Sequence, residues 1–245
     1  MQLGGRSSLP RPADLAAALT AAAQQTGHRP AVTVLAHERR EEQGFASLAQ
    51  WAAKGAHLLE TDYALGPDGR VQVSPAAGWM TTAACLAVWW CGASVVVGRQ
   101  AEAEVAIVHE TFAPEGAPDV LWFGDAADGS PVDPELEPAY AIEVQVFPDQ
   151  PPPPRAASDL GALETPDGSW THSAVIDEVR DRWGTDAVLG IEITDDLRPE
   201  ELILAVAARP VVTGRPTVVL AGVDREAAAP ERVGIWLEDR TAGSG

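Results

Sequence analysis

Ala76 to Cys91 reads AAGWMTTAACLAVWWC, with no charged side chain. A helix of this composition is apolar on every side, has no face to offer water and must lie in the interior. Gly92-Ala93 ends it, and Ser94–Val97 follows as a β-branched run. Such a run fits a parallel strand covered on both faces. The apolar stretch Ala83–Val97 is broken at Cys91-Gly92 and is shorter than the roughly 20 residues of a membrane span. An interior helix beside a covered strand predicts an α/β fold, a layered sheet with helices on both faces.

The flanking sequence alternates strand and helix across short turns. Residues 12–26 read as a first helix, with Pro12 at its first position, Asp14 in its first turn and Gly27 at its stop. Ala31–Leu35 reads as a strand, Glu38–Gln43 as a charged turn and Gly44–Ala46 as the hairpin's return. Ser47 suits the cap of a helix that places Leu48, Trp51, Ala52, Leu58 and Leu59 on one face. Gly66-Pro67-Asp68-Gly69 is a turn, and strands are expected at 70–74, 104–108, 120–123 and 141–147. Beyond them come a short strand near 159–163, a helix at 172–183, a strand at 187–193, a helix at 198–208 and strands at 217–220 and 233–237.

Four consecutive prolines lie within Pro148–Arg155, which must be extended and cannot enter a central strand. The organisation read from this is a flexible N-terminus (1–11), a first α/β lobe (12–147), a Pro-rich connector (148–158), a second α/β segment packed on the first (159–238) and a flexible tail (239–245).

Charge narrows the function classes. The formal net charge is −19, from 36 acids against 17 bases, and Lys54 is the sole lysine. Nucleic acid and anionic membrane surfaces are poor partners for such a chain, because both need clustered Lys and Arg. The Ala-rich run 13–23 is interrupted by Asp14 and followed by Gln24-Gln25, so it reads as a surface helix rather than a secretory leader, and a cytoplasmic location is expected. Cys85 and Cys91 would sit about 9 Å apart along a helix, too far for a disulfide, and read as buried free thiols.

Three stretches together resemble the adenylate-forming (AMP-binding) superfamily of acyl-CoA synthetases, adenylation domains and luciferase. RPAVTVL…FASLAQWAAKGAHLL from Arg29 looks like its opening strand, hairpin and helix. LGPDGRVQVSPAAGWMTTAACLAVWWCGASVVV from Leu65 matches its turn, strand, buried helix and strand. ETPDGSWTHSAV from Glu164 falls where that family carries its phosphate loop, with Gly168, Thr171 and His172 on the family's Gly and Thr-His positions. More narrowly, the chain is similar to short actinobacterial proteins of that kind. The resemblance implies the N-terminal part of such an enzyme without its C-terminal domain. It also implies ATP or AMP with Mg²⁺ as the ligand set, held around Asp167, Gly168, Ser169, Thr171 and His172, with Trp170 as a stacking residue.

The departures weigh against catalysis. The family loop wraps phosphate with Gly, Ser and Thr and adds a Lys, whereas LGALETPDGS has no Gly-rich core, no Lys, and acids at Glu164 and Asp167. Trp183-Gly184-Thr185-Asp186 imitates a later family segment but lies too near and reads as a helix stop. No catalytic residue is assigned. His28, His37, His57, His109 and His172 show no metal-ligand spacing, so no metal site is assigned either. Asp195, Asp196, Glu200 and Glu201 read as a helix cap and a dipole complement rather than an Mg²⁺ site. Trp79, Trp89 and Trp90 read as core.

The function expected is that of an adenylate-forming-like domain, non-catalytic, acting through a small-molecule acid or nucleotide pocket, a homodimer or a protein partner. The alternative is an acid-adenylating ligase whose missing domain comes from a partner chain, with Arg155 standing in for the lost lysine.

Overall fold

A computed structural model describes residues 10–37, 39–98, 102–112 and 119–237. The chain builds two sheets around a layer of helices. It opens with α1 (Leu15–Thr26), β1 (Pro30–Ala36), β2 (Arg39–Gly44), α2 (Phe45–Asp62), β3 (Arg70–Val73), α3 (Trp79–Trp90) and β4 (Ser94–Val96). Next come β5 (Val105–His109), β6 (Val120–Phe123), α4 (Tyr140–Glu143), a 3₁₀ turn at Val144–Val146, β7 (Gly161–Thr165) and β8 (Gly168–Thr171). The chain continues through α5 (His172–Trp183), β9 (Val188–Glu192), α6 (Pro199–Ile203), a π-helical turn Leu204–Ala208, α7 (Arg209–Thr213), β10 (Thr217–Ala221) and β11 (Val233–Trp236).

The five-stranded sheet has the order β11-β9-β10-β1-β2 and the six-stranded sheet β6-β5-β3-β4-β7-β8. The hairpins β1–β2 and β7–β8 are antiparallel, and every other strand pair is parallel. The expected layered α/β architecture is present. As the sequence requires, α3 is interior: all of its residues are buried, with Trp79, Trp89 and Trp90 among them. Trp89 Nε1 donates to Ala162 O at 2.7 Å and Trp90 Nε1 to Pro152 O at 2.8 Å, so both indoles bury their polar edge satisfied. Cys85 and Cys91 are buried and free. Burial raises both thiols, that of Cys91 to about 12, so neither is a nucleophile.

Several local expectations are corrected. α1 begins at Leu15 because Asp14 is its cap, accepting from Ala17 N–H at 2.8 Å. The stretch expected as a charged turn is β2 itself: at the sheet edge its Arg and Glu side chains reach solvent, which discourages edge pairing. Ser47 does not cap α2; Gly44 does, and the Ser47 hydroxyl donates to Gln43 Oε1 at 2.7 Å. Residues 141–146 are helical, not a strand, and Phe147 is the extended residue that ends the run. Ile142, Val144 and Val146 imitate a period of two, but the buried positions are Tyr140, Ala141 and Val144, a helical spacing. α6 is capped by the backbone of Arg198 rather than by Asp195 or Asp196, with Glu200 and Glu201 in its first turn. Its helix runs on past 208 to Thr213.

The proline-rich segment is fastened to α2 and α3. Lys54 pairs with Asp149 at 3.1 Å, His57 Nε2 lies 2.8 Å from Gln150 O, and Arg155 pairs with Glu60 at 3.3 Å. Among the described residues, no helix is long and apolar enough to cross a membrane.

Candidate functional site

In parallel sheets ligands collect beyond the carboxyl ends of the strands. At that edge of the six-stranded sheet stands the β7–β8 hairpin, closed by the two residues Pro166 and Asp167 between the paired Thr165 and Gly168. The turn is cross-tied: Thr165 Oγ1 donates to Gly168 O at 3.2 Å and accepts from Asp167 N–H at 3.2 Å.

The candidate residues diverge from this tip. Asp167, Gly168 and Ser169 are exposed. Trp170 is half-buried and packs on the core. Thr171 caps α5, its hydroxyl accepting from Ala174 N–H at 3.2 Å. His172 is fully buried, and its Nδ1 accepts the Leu15 N–H at 3.3 Å. Thr171 and His172 therefore hold the starts of α5 and α1.

The charges around the hairpin are spoken for. Glu164 is paired with Arg70 at 2.9 Å, and Asp167 stands exposed at the tip. Arg155 lies at the opposite, amino edge, where its N–H donates to Trp90 O at 3.0 Å. The guanidinium whose field reaches Asp167 is Arg198, already held by Glu200 at 3.2 Å and Glu201 at 2.8 Å. Arg182 also pairs with Glu201, at 3.1 Å, and the two arginines hold that carboxyl below its usual range against the opposing effect of burial.

A second constellation lies along the same edge, at the ends of β5 and β6. One ligand-type atom each from His109, Glu110 and Asp125 lies within 4.8 Å of the others. His109 Nδ1 lies 3.3 Å from the Thr111 N and 2.9 Å from its Oγ1, and Nε2 faces Asp125 Oδ2 at 3.6 Å. Arg39 of β2 donates to Asp125 Oδ1 at 2.9 Å and to its carbonyl at 2.6 Å. Burial acts to raise the Asp125 carboxyl, and Arg39 with His109 outweighs it to leave a lowered value. Glu110 accepts backbone N–H groups from Asp125, Val132 and Asp133. The group ties the loop after β6 to both sheets. Spacing rules passed over it because its members come from separate strand ends; the sequence signal was His109-Glu110 directly after the apolar run of β5.

No protein-family model matches the chain. A Mycobacterium tuberculosis protein described as "TIGR03089 family protein" is 36% identical over 124 residues, covering 45% of this chain and 50% of that protein. Among solved structures, a long-chain-fatty-acid-CoA ligase from Archaeoglobus fulgidus superposes with a TM-score of 0.67 at 17% identity, covering 93% of this chain and 51% of its own. The N-terminal domain of FACL13 from Mycobacterium tuberculosis gives 0.65 at 14% identity, covering 91% and 62%. The fold is that of the N-terminal domain of adenylate-forming enzymes. At these identities the likeness is one of fold, and the chain spans about half the length of the ligase and of the curated relative. Within this adenylate-forming fold, the hairpin and the His109 group occupy two stations on one sheet edge, with β3 and β4 between their strands.

Proposed function

We propose that this adenylate-forming-like domain works by binding, to a small molecule or a protein partner, and does not itself activate an acid. The observation that carries the reading is the closed tip of the β7–β8 hairpin. A two-residue turn braced by Thr165 has no free run of backbone N–H groups to wrap a phosphate. Asp167 adds a negative charge at the tip, and the guanidinium in its field is matched by carboxylates.

Thermal unfolding with millimolar ATP and Mg²⁺, and separately with AMP, tests this. A ligand at 100 times its dissociation constant would add about 2.7 kcal/mol. That corresponds to roughly 5–10 °C at this chain length. The expected result is an unchanged midpoint with both nucleotides. A clear rise would overturn the reading and favour a ligase completed by a partner chain, to be pursued by pyrophosphate–ATP exchange.

A further inference from the structure

Among the described residues, the large apolar side chains most open to solvent fall in one segment: Val132 is 68% exposed, Ile142 59% and Val146 82%. Ile142 lies on the short helix Tyr140–Glu143 and Val146 ends the 3₁₀ turn that continues it, so both apolar side chains stand open on one short run. The other side of that run, Tyr140, Ala141 and Val144, is locked in the core, so the exposed pair cannot rotate inward. Beside it lies a depression of about 350 Å³ lined by Glu137, Pro138, Ala139, Ile142 and Glu143. Its lining combines three apolar residues with the two carboxylates of Glu137 and Glu143. No Lys, Arg or His occurs between Gly124 and Gln150, although acids recur throughout. Negative charge converges here from other elements too: after burial, Asp119, Asp62 and Glu143 are what raise the Tyr63 phenol.

We infer that this face docks a basic amphipathic helix of a partner protein. Apolar side chains of the partner at helical spacing cover Ile142 and Val146. A Lys or Arg lays its aliphatic stem on Pro138 and Ala139 and places its charged head between Glu137 and Glu143. A second copy of this chain is a poor occupant, because it would set carboxylate against carboxylate in a molecule of formal charge −19. The inference stands on this surface alone, whether or not the nucleotide reading holds.

The test is to pan a displayed library of random peptides, each roughly four helical turns long, against the full chain. Enriched peptides are then measured by calorimetry on the native protein, on Ile142→Ser/Val146→Ser and on Glu137→Lys/Glu143→Lys. Enriched sequences should carry Lys or Arg with apolar residues at i, i+3 or i+4. The serine variant should weaken them about tenfold or more, and the lysine variant should abolish binding and the salt dependence with it. Both variants alter exposed side chains or side chains lining the depression, and circular dichroism should show native folding. Peptides without basic residues, no enrichment, or binding unchanged in both variants would overturn the inference. So would a dimer in light scattering that the serine variant dissolves, since the occupant would then be a second copy.

Discussion

His172 shows how much one side chain can decide without touching a ligand. Its Nδ1 receives a helix-start N–H of α1, so the proton resides on Nε2, which has no partner in the interior. Burial, opposed by Asp14, lowers its pKa to about 4. The unfolded chain takes up the proton first as pH falls, so the stability that depends on neutral His172 is lost progressively from about pH 6.5 to about 4. The loss can reach about 3 kcal/mol. Urea unfolding at pH 7 and pH 4.5 checks this: the native protein should lose more stability on acidification than His172→Leu, by up to that amount. The sequence marked His172 as a helix-start residue beside the phosphate-loop-like stretch. It could not show the partner, Leu15, because the two are 157 residues apart and meet only through tertiary packing.

At the scale of elements, the π turn is the clearest case of structure overriding local rules. Pro210 has no N–H, so the helix lacks one backbone donor at this turn. Two distant hydroxyls bond to carbonyls here: Thr217 Oγ1 donates to Ala205 O at 2.7 Å and Thr82 Oγ1 to Val206 O at 3.1 Å. Thr217→Val or Thr82→Val removes a buried hydrogen bond and should cost about 1–3 kcal/mol in urea unfolding. The α2–α3 crossing makes another prediction. A Cβ on Gly55 would fall 2.2 Å from the Tyr140 hydroxyl and 2.7 Å from Ala87 Cβ. Gly55→Ala should destabilise by about 1–3 kcal/mol. Because the Tyr140 hydroxyl is buried without a partner, Tyr140→Phe should be neutral or stabilising and should recover part of the Gly55→Ala loss. Elements with a strong hydrophobic pattern were legible: α3 for its unbroken apolar character, α5 to the residue. The run 141–147 was misread because exposed Ile142 and Val146 supplied an alternation that burial does not follow. The β7–β8 hairpin was not legible: Gly168 and Thr171-His172 suggested a phosphate-loop stretch, and closure over Pro166-Asp167 is a register property that composition does not reveal.

For the whole molecule, charge is the dominant long-range force. A formal −19 on one domain makes the folded state repel itself, and the many surface ion pairs offset little of this. Raising NaCl from about 20 to about 300 mM should therefore raise the thermal midpoint by about 2–5 °C, through screening of that repulsion. The binary pattern disclosed the layered architecture, because an all-apolar helix has only one place to go. It did not disclose how the strands divide between the sheets. The five-stranded sheet joins β1 and β2 to β9, β10 and β11, whereas the six-stranded sheet takes every strand from β3 to β8. A cut within the proline-rich segment would thus give one piece lacking β7 and β8 and another holding only three strands of the five-stranded sheet. Each piece made alone should be insoluble; made together, they should reassemble without a covalent link, so the chain could serve as a two-part reporter whose signal requires both fragments in one cell.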